Sequence, residues 1–159
     1  MSQRGLANAL KAVIVGVAVC GLIIYFYFLP VWGKAVIRSV PPYEKCYVPW
    51  MLFLWATAVP CYLVLLCGWR ISGEIGADRS FSARNARLLK YIAALAAFDS
   101  VLLFAGSGIF YVLGMSHGVM MLLCIVVSFA GVTVTVAAAA LSHLVYKAAE
   151  LEEESELTI

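Results

Sequence analysis

Within the stretch YIAALAAFDSVLLFAGSGIFYVLG, Tyr91 to Gly114, the one charged residue is Asp99, close to the middle. A carboxyl group in such a setting can do two kinds of work. As a neutral acid it donates a hydrogen bond that fixes how helices pack, and as a titrating group it carries a proton or binds a cation. Two threonines fall at matching depth if the neighbouring apolar segments are antiparallel helices. Counting back eleven residues from Tyr146 reaches Thr135, and a similar count on the preceding segment reaches Thr57 and Ala58. Pro60 has no N–H to donate to the carbonyl of Ala56, which leaves a further acceptor near that level. The expected arrangement is a neutral Asp99 hydrogen-bonded between the second, third and fourth helices, with Asp99, Thr135 and Thr57 as the intramembrane polar site. A proton relay asks for further acids or histidines in line. The two histidines stand elsewhere, His117 in the short turn GMSHG and His143 at the end of the last apolar segment.

Other chemistries find no support in the residue pattern. Two histidines at opposite ends of the segments cannot share one haem, and neither a CxxC nor an HExxH cluster is present, so no metal and no cofactor is expected. Of five cysteines, Cys20, Cys61, Cys67 and Cys124 lie in apolar segments, where they act as small hydrophobes, and Cys46 lies outside. An intrachain structural disulfide therefore has no evident pair, quinone-linked disulfide exchange is disfavoured, and a Cys46 to Cys46 link between two copies stays open. There is no Walker loop, dinucleotide fingerprint or nucleophile elbow. Ser107 between Gly106 and Gly108 reads more simply as a helix contact or bend, and no enzyme activity is expected.

Composition says what must hold these residues. The chain has 159 residues, 64% of them hydrophobic and 13% charged, with a mean hydropathy of +0.98, far above a soluble domain. A bilayer core about 30 Å thick takes roughly 20 helical residues to cross. Apolar runs of that length occur over about 12–32, 48–69, 88–113 and 119–146, which predicts an all-α polytopic membrane protein, a four-helix transmembrane bundle forming one domain over 1–159. The first run is longer than the apolar region of a cleaved signal and ends in the aromatic belt YFYFLPVW, so it reads as a retained span. Asp99 lies eleven residues past Leu88, roughly 16 Å deep at about 1.5 Å per residue. An unpaired charge at that depth costs several kcal/mol, so the group is expected to be neutral, paired or facing a wet interior.

Loop charge sets the orientation. One side carries Arg4, Lys11, Arg70, Arg79, Arg84, Arg87, Lys90 and Lys147, the other Lys34, Arg38 and Lys45, so both termini are expected in the cytoplasm. The outer segments, Gly33 to Tyr47 and GMSHG, are too small to bury a core. The middle loop, RISGEIGADRSFSARNARLLKY, begins irregularly with Gly73 and Gly76, and Ser82 then stands as the N-cap of a third helix starting near Ala83. Ser128, Gly131, Thr135, Ala138 and Ser142 form a small and polar stripe that lets helices approach closely. Ala12, Gly16 and Cys20 form a second small-residue seam, suited equally to packing within the bundle or to another copy.

Arg79, Arg84, Arg87 and Lys90 make a basic patch at the membrane surface, and residues 147–159, YKAAELEEESELTI from Lys147 onward, form an acidic cytoplasmic tail. The patch can serve topology and bind anionic lipid, or patch and tail together can form a docking surface for a soluble partner.

The stretches FSARNARLLKYIA and LSHLVYKAAELEEESELTI resemble the YoaS-like family of small bacterial four-span membrane proteins, classed as a domain of unknown function. The resemblance rests on Phe81 and Ser82 followed by Leu88 or Leu89 and Ile92, and on Glu154, Glu156, Leu157, Thr158 and Ile159. Ser155 and Glu156 stand where Asn-Asp is common in the family. What the resemblance implies is the bacterial cytoplasmic (inner) membrane, and a partner of a kind often encoded beside such proteins, a small Cro-like helix-turn-helix regulator. On that reading the chain binds no nucleic acid itself, and Arg79, Phe81, Arg84, Arg87, Glu152, Glu153, Glu154, Glu156, Leu157, Thr158 and Ile159 receive the partner. The regulator's basic DNA-binding face would meet the acidic run in competition with phosphate. The alternative is a small transporter or channel subunit with Asp99 as its proton or ion site. A structural subunit of a larger complex or a homo-oligomer also stays open.

Overall fold

The computed structural model describes residues 3–39 and 41–157. Helices account for nearly all of them: α1 (Gln3–Ile23), a π-helical turn (Ile24–Phe28), α2 (Leu29–Ser39), a 3-10 turn (Pro41–Cys46), α3 (Tyr47–Gly76), α4 (Ala83–Val112) and α5 (Gly118–Leu157). Four segments are long and apolar enough to cross a membrane, Gln3–Val36, Glu44–Gly76, Ala83–Val112 and Gly118–Glu154. A helix satisfies its backbone polar groups internally, which is what hydrocarbon demands.

The helices overrun the bounds expected from apolar residues alone. The first begins at Gln3 instead of Ala12, because helical hydrogen bonding does not stop at a charge whose stem can reach outward. Lys11 does so, placing its ammonium 5.4 Å from the centre of the Trp69 ring. The segment expected as an outer loop, Gly33 to Tyr47, is mostly helical through α2 and the 3-10 turn. Gly73 and Gly76 belong to the last turns of α3, and the break is confined to 77–82.

That break is closed at both ends. The Arg79 N–H donates to the Glu74 carbonyl at 3.0 Å and the Asp78 N–H to Ile75 at 3.1 Å, a Schellman closure with Asp78 at φ 60°. Ser82 caps α4 as expected, its hydroxyl accepting from the Asn85 N–H at 3.2 Å. At the opposite end of α4 the Met115 N–H reaches the Phe110 carbonyl at 2.9 Å and Gly114 takes φ 69°, the same closure made with the residue that adopts it without strain.

The four spans form an open row. α1 packs on α3, α3 on α4 and α4 on α5, with no close backbone approach of α1 to α4 or α5, nor of α3 to α5, among the described residues. The small-residue stripe makes the most extensive of these seams, with Ser128 and Ala138 buried and Gly131 lying against the Ser100 hydroxyl. One stripe hydroxyl crosses to the neighbour: Ser142 donates to the Ala86 carbonyl at 2.7 Å. On the other flank Tyr62 donates to the Ala18 carbonyl at 2.9 Å, and Ala7 lies against Gly76. Ala12, Gly16 and Cys20 face away from α3, and no atom comes within 4 Å of where a Gly16 Cβ would stand. Trp50 anchors the end of the row remote from the chain termini. It donates to the Met115 carbonyl at 2.9 Å and stacks on Phe110 at 4.8 Å beside Leu103 and Cys124.

Gly131→Val puts a branched side chain where Ser100 stands. Unfolding by SDS in mixed micelles is expected to show a loss of about 1–3 kcal/mol. The same change at Gly16, which faces open space, should stay within about 0.5 kcal/mol.

Candidate functional site

Two places in the row gather groups with chemistry. One is inside the membrane-spanning region, the other at the end holding the chain termini.

Asp99 lies half-buried on the side of α4 that meets α3. The Cys61 thiol donates to its Oδ2 at 3.4 Å, while Oδ1 is buried with no hydrogen-bond partner. The Tyr25 hydroxyl, carried by the π-helical turn of the first span, lies 3.4 Å from the Thr57 Oγ1 and near Cys61. Thr57 itself donates to the Leu54 carbonyl at 2.8 Å. The cluster therefore joins three spans through Tyr25, Thr57, Cys61 and Asp99. A π turn adds a residue to the helix, re-aims side chains and recurs at functional sites. Here the Trp55 indole N–H holds the Tyr25 carbonyl at 3.3 Å, and the Trp55 ring stacks on Phe26 at 5.9 Å.

This differs from the expected network in two respects. Thr135 spends its hydroxyl on the Gly131 carbonyl of its own helix at 3.0 Å and does not meet Asp99. The Ala56 carbonyl accepts no side-chain hydrogen bond among the described residues, although Pro60 sits inside α3. The reason is geometric. α3 and α5 lie on different sides of α4, so Ser100 looks toward the α5 seam and the adjacent Asp99 toward α3.

At the terminal end, Glu74 receives two cations. Arg79 Nε stands 3.3 Å from its Oε2 and Arg84 Nη1 3.0 Å from its Oε1. The Schellman closure is what folds Arg79 back over Glu74. Asn85, fully buried, donates from Nδ2 to the carbonyls of Arg79 at 3.2 Å and Ser80 at 3.0 Å, pinning the turn from inside. Phe81, Arg87 and Lys90 are exposed. α5 continues to Leu157 with Glu150, Glu152, Glu153 and Glu154 exposed along it. The backbone of Glu156 and Leu157 belongs to that helix, and Thr158 and Ile159 lie outside the described residues. Sequence reasoning passed over Tyr25, Cys61, Glu74 and Asn85. A residue at N3 of the Ser82 cap was the one available signal, for Asn85. No group of three or more His, Cys, Asp or Glu suited to a metal occurs among the described residues.

An all-α membrane protein of four spans, with one polar cluster within the spans and a charged terminal face, is the class that this fold defines. Residues 33–159 match the family described as "Protein of unknown function (DUF2975)", and the chain belongs to that family. It is similar to the "Uncharacterized membrane protein YoaS" of Bacillus subtilis (strain 168), at 28% identity over 117 residues, covering 71% of this chain and 73% of the relative. No solved structure matches the chain.

The two Asp99 readings separate by stability. A carboxyl with one sulfur donor and one orphaned oxygen adds little to packing, and an orphaned buried acceptor costs about 1–3 kcal/mol. Asp99→Leu is thus expected to leave SDS resistance equal to or above that of the parent, and a marked loss would assign Asp99 to packing. At the terminal face, Glu74→Gln should speed trypsin cleavage at Arg79 and Arg84 about two- to fivefold, the range of an ion pair whose cations are exposed. Raising salt should close the gap between parent and variant.

Proposed function

We propose that this protein is a membrane-embedded regulatory protein of the bacterial cytoplasmic membrane. Both termini face the cytoplasm, and the terminal face binds a soluble basic partner, a small helix-turn-helix transcription regulator. The observation that carries the reading is α5. At 40 residues it measures about 60 Å, about twice a hydrocarbon core, so its acidic end projects as a helix from the membrane. Exposed glutamates at 150, 152, 153 and 154 give that end a strong negative field, suited to a surface built for phosphate.

The basic loop has a different part in this reading. Glu74 neutralises half of the charge of Arg79 and Arg84, leaving exposed Arg87 and Lys90 at the opening of α4. Those two sit where anionic lipid headgroups hold the face against the membrane, with the positive-inside count supporting the orientation. Phe81, exposed at the turn, offers the partner an apolar contact. In this role the chain has no enzymatic step and needs no cofactor.

The orphaned Oδ1 of Asp99 favours a second reading, a small transporter or channel subunit in which Asp99 binds a proton or cation between the first three spans. The two readings call on different residues.

Pull-down from native membranes with the full chain, and with a chain ending at Lys147, tests the first. The full chain is expected to retain a small helix-turn-helix protein, released at high salt, and the truncated chain to lose it. Retention by both would refute the docking model. Flux of protons or sodium into proteoliposomes that Asp99→Asn abolishes, with the tail dispensable, would establish the second reading instead.

A further inference from the structure

We propose that the end of the row remote from the chain termini holds a binding site for a soft monovalent metal ion, Cu(I) or Ag(I). A cavity of about 90 Å³ lies there, between α2, the start of α3 and the turn that joins α4 to α5. Its wall carries Cys46, Met51, Met115, His117 and Met120, with the indole of Trp50 beside them. Methionine occurs five times in the chain, and three of the four beyond the initiator face this one cavity. Three thioethers, a thiol and an imidazole are the donors that soft d¹⁰ ions select. The wall holds no carboxylate, the charged oxygen ligand on which hard ions such as Ca²⁺ and Mg²⁺ chiefly depend.

The donors are held from separate directions. The Trp50 indole N–H binds the Met115 carbonyl at 2.9 Å, and the Met115 N–H closes on Phe110 at 2.9 Å, fixing the first thioether's backbone twice. The His117 carbonyl accepts from the N–H groups of Met120 at 3.0 Å and Met121 at 3.2 Å, which sets imidazole and second thioether one helical turn apart. Met51, buried, lies against Gly33, and Cys46 and Met120 both pack on the Trp50, Leu103 and Cys124 cluster. Methionine is flexible enough to close such a space around an ion. A cation there also stands near an aromatic face, which adds attraction.

The proposal does not depend on the function argued above, and its test reads residues individually. The purified full-length protein in detergent is exposed to hydrogen peroxide with and without one equivalent of Ag(I), in chloride-free buffer, and sulfoxide at each methionine is followed by mass spectrometry. A metal-bound thioether has its lone pair engaged, so Met51, Met115 and Met120 should oxidise about tenfold or more slowly with Ag(I). Met121, next in sequence but outside the cavity wall, should be unchanged. Silver bound at the span cysteines would leave all four methionines oxidising at their metal-free rates, and that result overturns the proposal, as does equal protection of all four.

A variant controls for folding. Leucine matches methionine closely in volume, so Met51→Leu, Met115→Leu and Met120→Leu together keep the cavity and remove the thioethers. The triple variant should retain the parent's thermal unfolding and lose the Ag(I)-dependent quenching of tryptophan fluorescence, while Met121→Leu keeps both. Undiminished quenching in a folded triple variant would mean that the thioethers do not hold the ion, and would overturn the proposal. If the triple variant fails to fold, the peroxide footprint on the unmodified chain decides alone.

Discussion

In a bilayer no hydrophobic effect drives one span against another, because lipid tails are as apolar as leucine. Contact then depends on how closely backbones approach, and in this chain the seam between α4 and α5 is where approach is best prepared. Gly131 leaves room for the Ser100 hydroxyl, Ser128 and Ala138 are buried, and Ser142 spans the gap to the Ala86 carbonyl. The other stripe hydroxyls, on Ser128 and Thr135, bond back to their own helix. They contribute smallness instead of a bridge. One helix pair is thereby fixed along its length, and α3 and α1 are added to it in order.

Adding spans in a row has a consequence for the polar cluster. A closed bundle would surround Asp99 with all its neighbours, whereas in a row α4 offers one side to α5 and another to α3. Ser100 and Asp99 are adjacent in sequence and about 100° apart around the helix, so they serve different seams. The carboxyl meets Cys61, and through it the Tyr25 and Thr57 hydroxyls, and among the described residues no α5 side chain hydrogen-bonds it. α1, packed on α3 alone, lends Tyr25 from a turn whose π-helical winding costs regular hydrogen bonding. The least tightly held span thus supplies one member of the cluster.

Much of this was legible in residue order. Hydropathy located four spans, Ser82 marked the start of α4, and the stripe from Ser128 to Ser142 identified the face of α5 that packs. Depth counting brought Asp99 to the correct face of α3 but to Thr57 instead of Cys61. Those two residues are four apart, on one face and separated by a single turn, which is the resolution that counting from a membrane edge affords. Thr135 fails for another reason, since depth says nothing about which side of α4 a helix occupies. The pairing of Glu74 with Arg79 and Arg84 was hidden because the loop's glycines suggested an early break, while the helix ran on to Gly76 and turned back through Asp78.

α5 connects the two ends of the molecule. Met120 lies in its first turn at the cavity, and the glutamates at 150–154 lie near its end. A ligand at the first place can influence a partner at the second only if it binds one arrangement of α5 against α4 more tightly than another. Rigid helices transmit such a choice by translation or rotation at their seams. The contact that would have to yield is the Ser142 to Ala86 hydrogen bond, because it alone among the stripe's hydroxyls crosses between the helices. It sits one residue after Asn85, whose amide holds the carbonyls of Arg79 and Ser80. A shift of α5 at that level would therefore pull on the turn that sets Arg79 and Arg84 over Glu74, joining the tail and the basic loop in one mechanical unit.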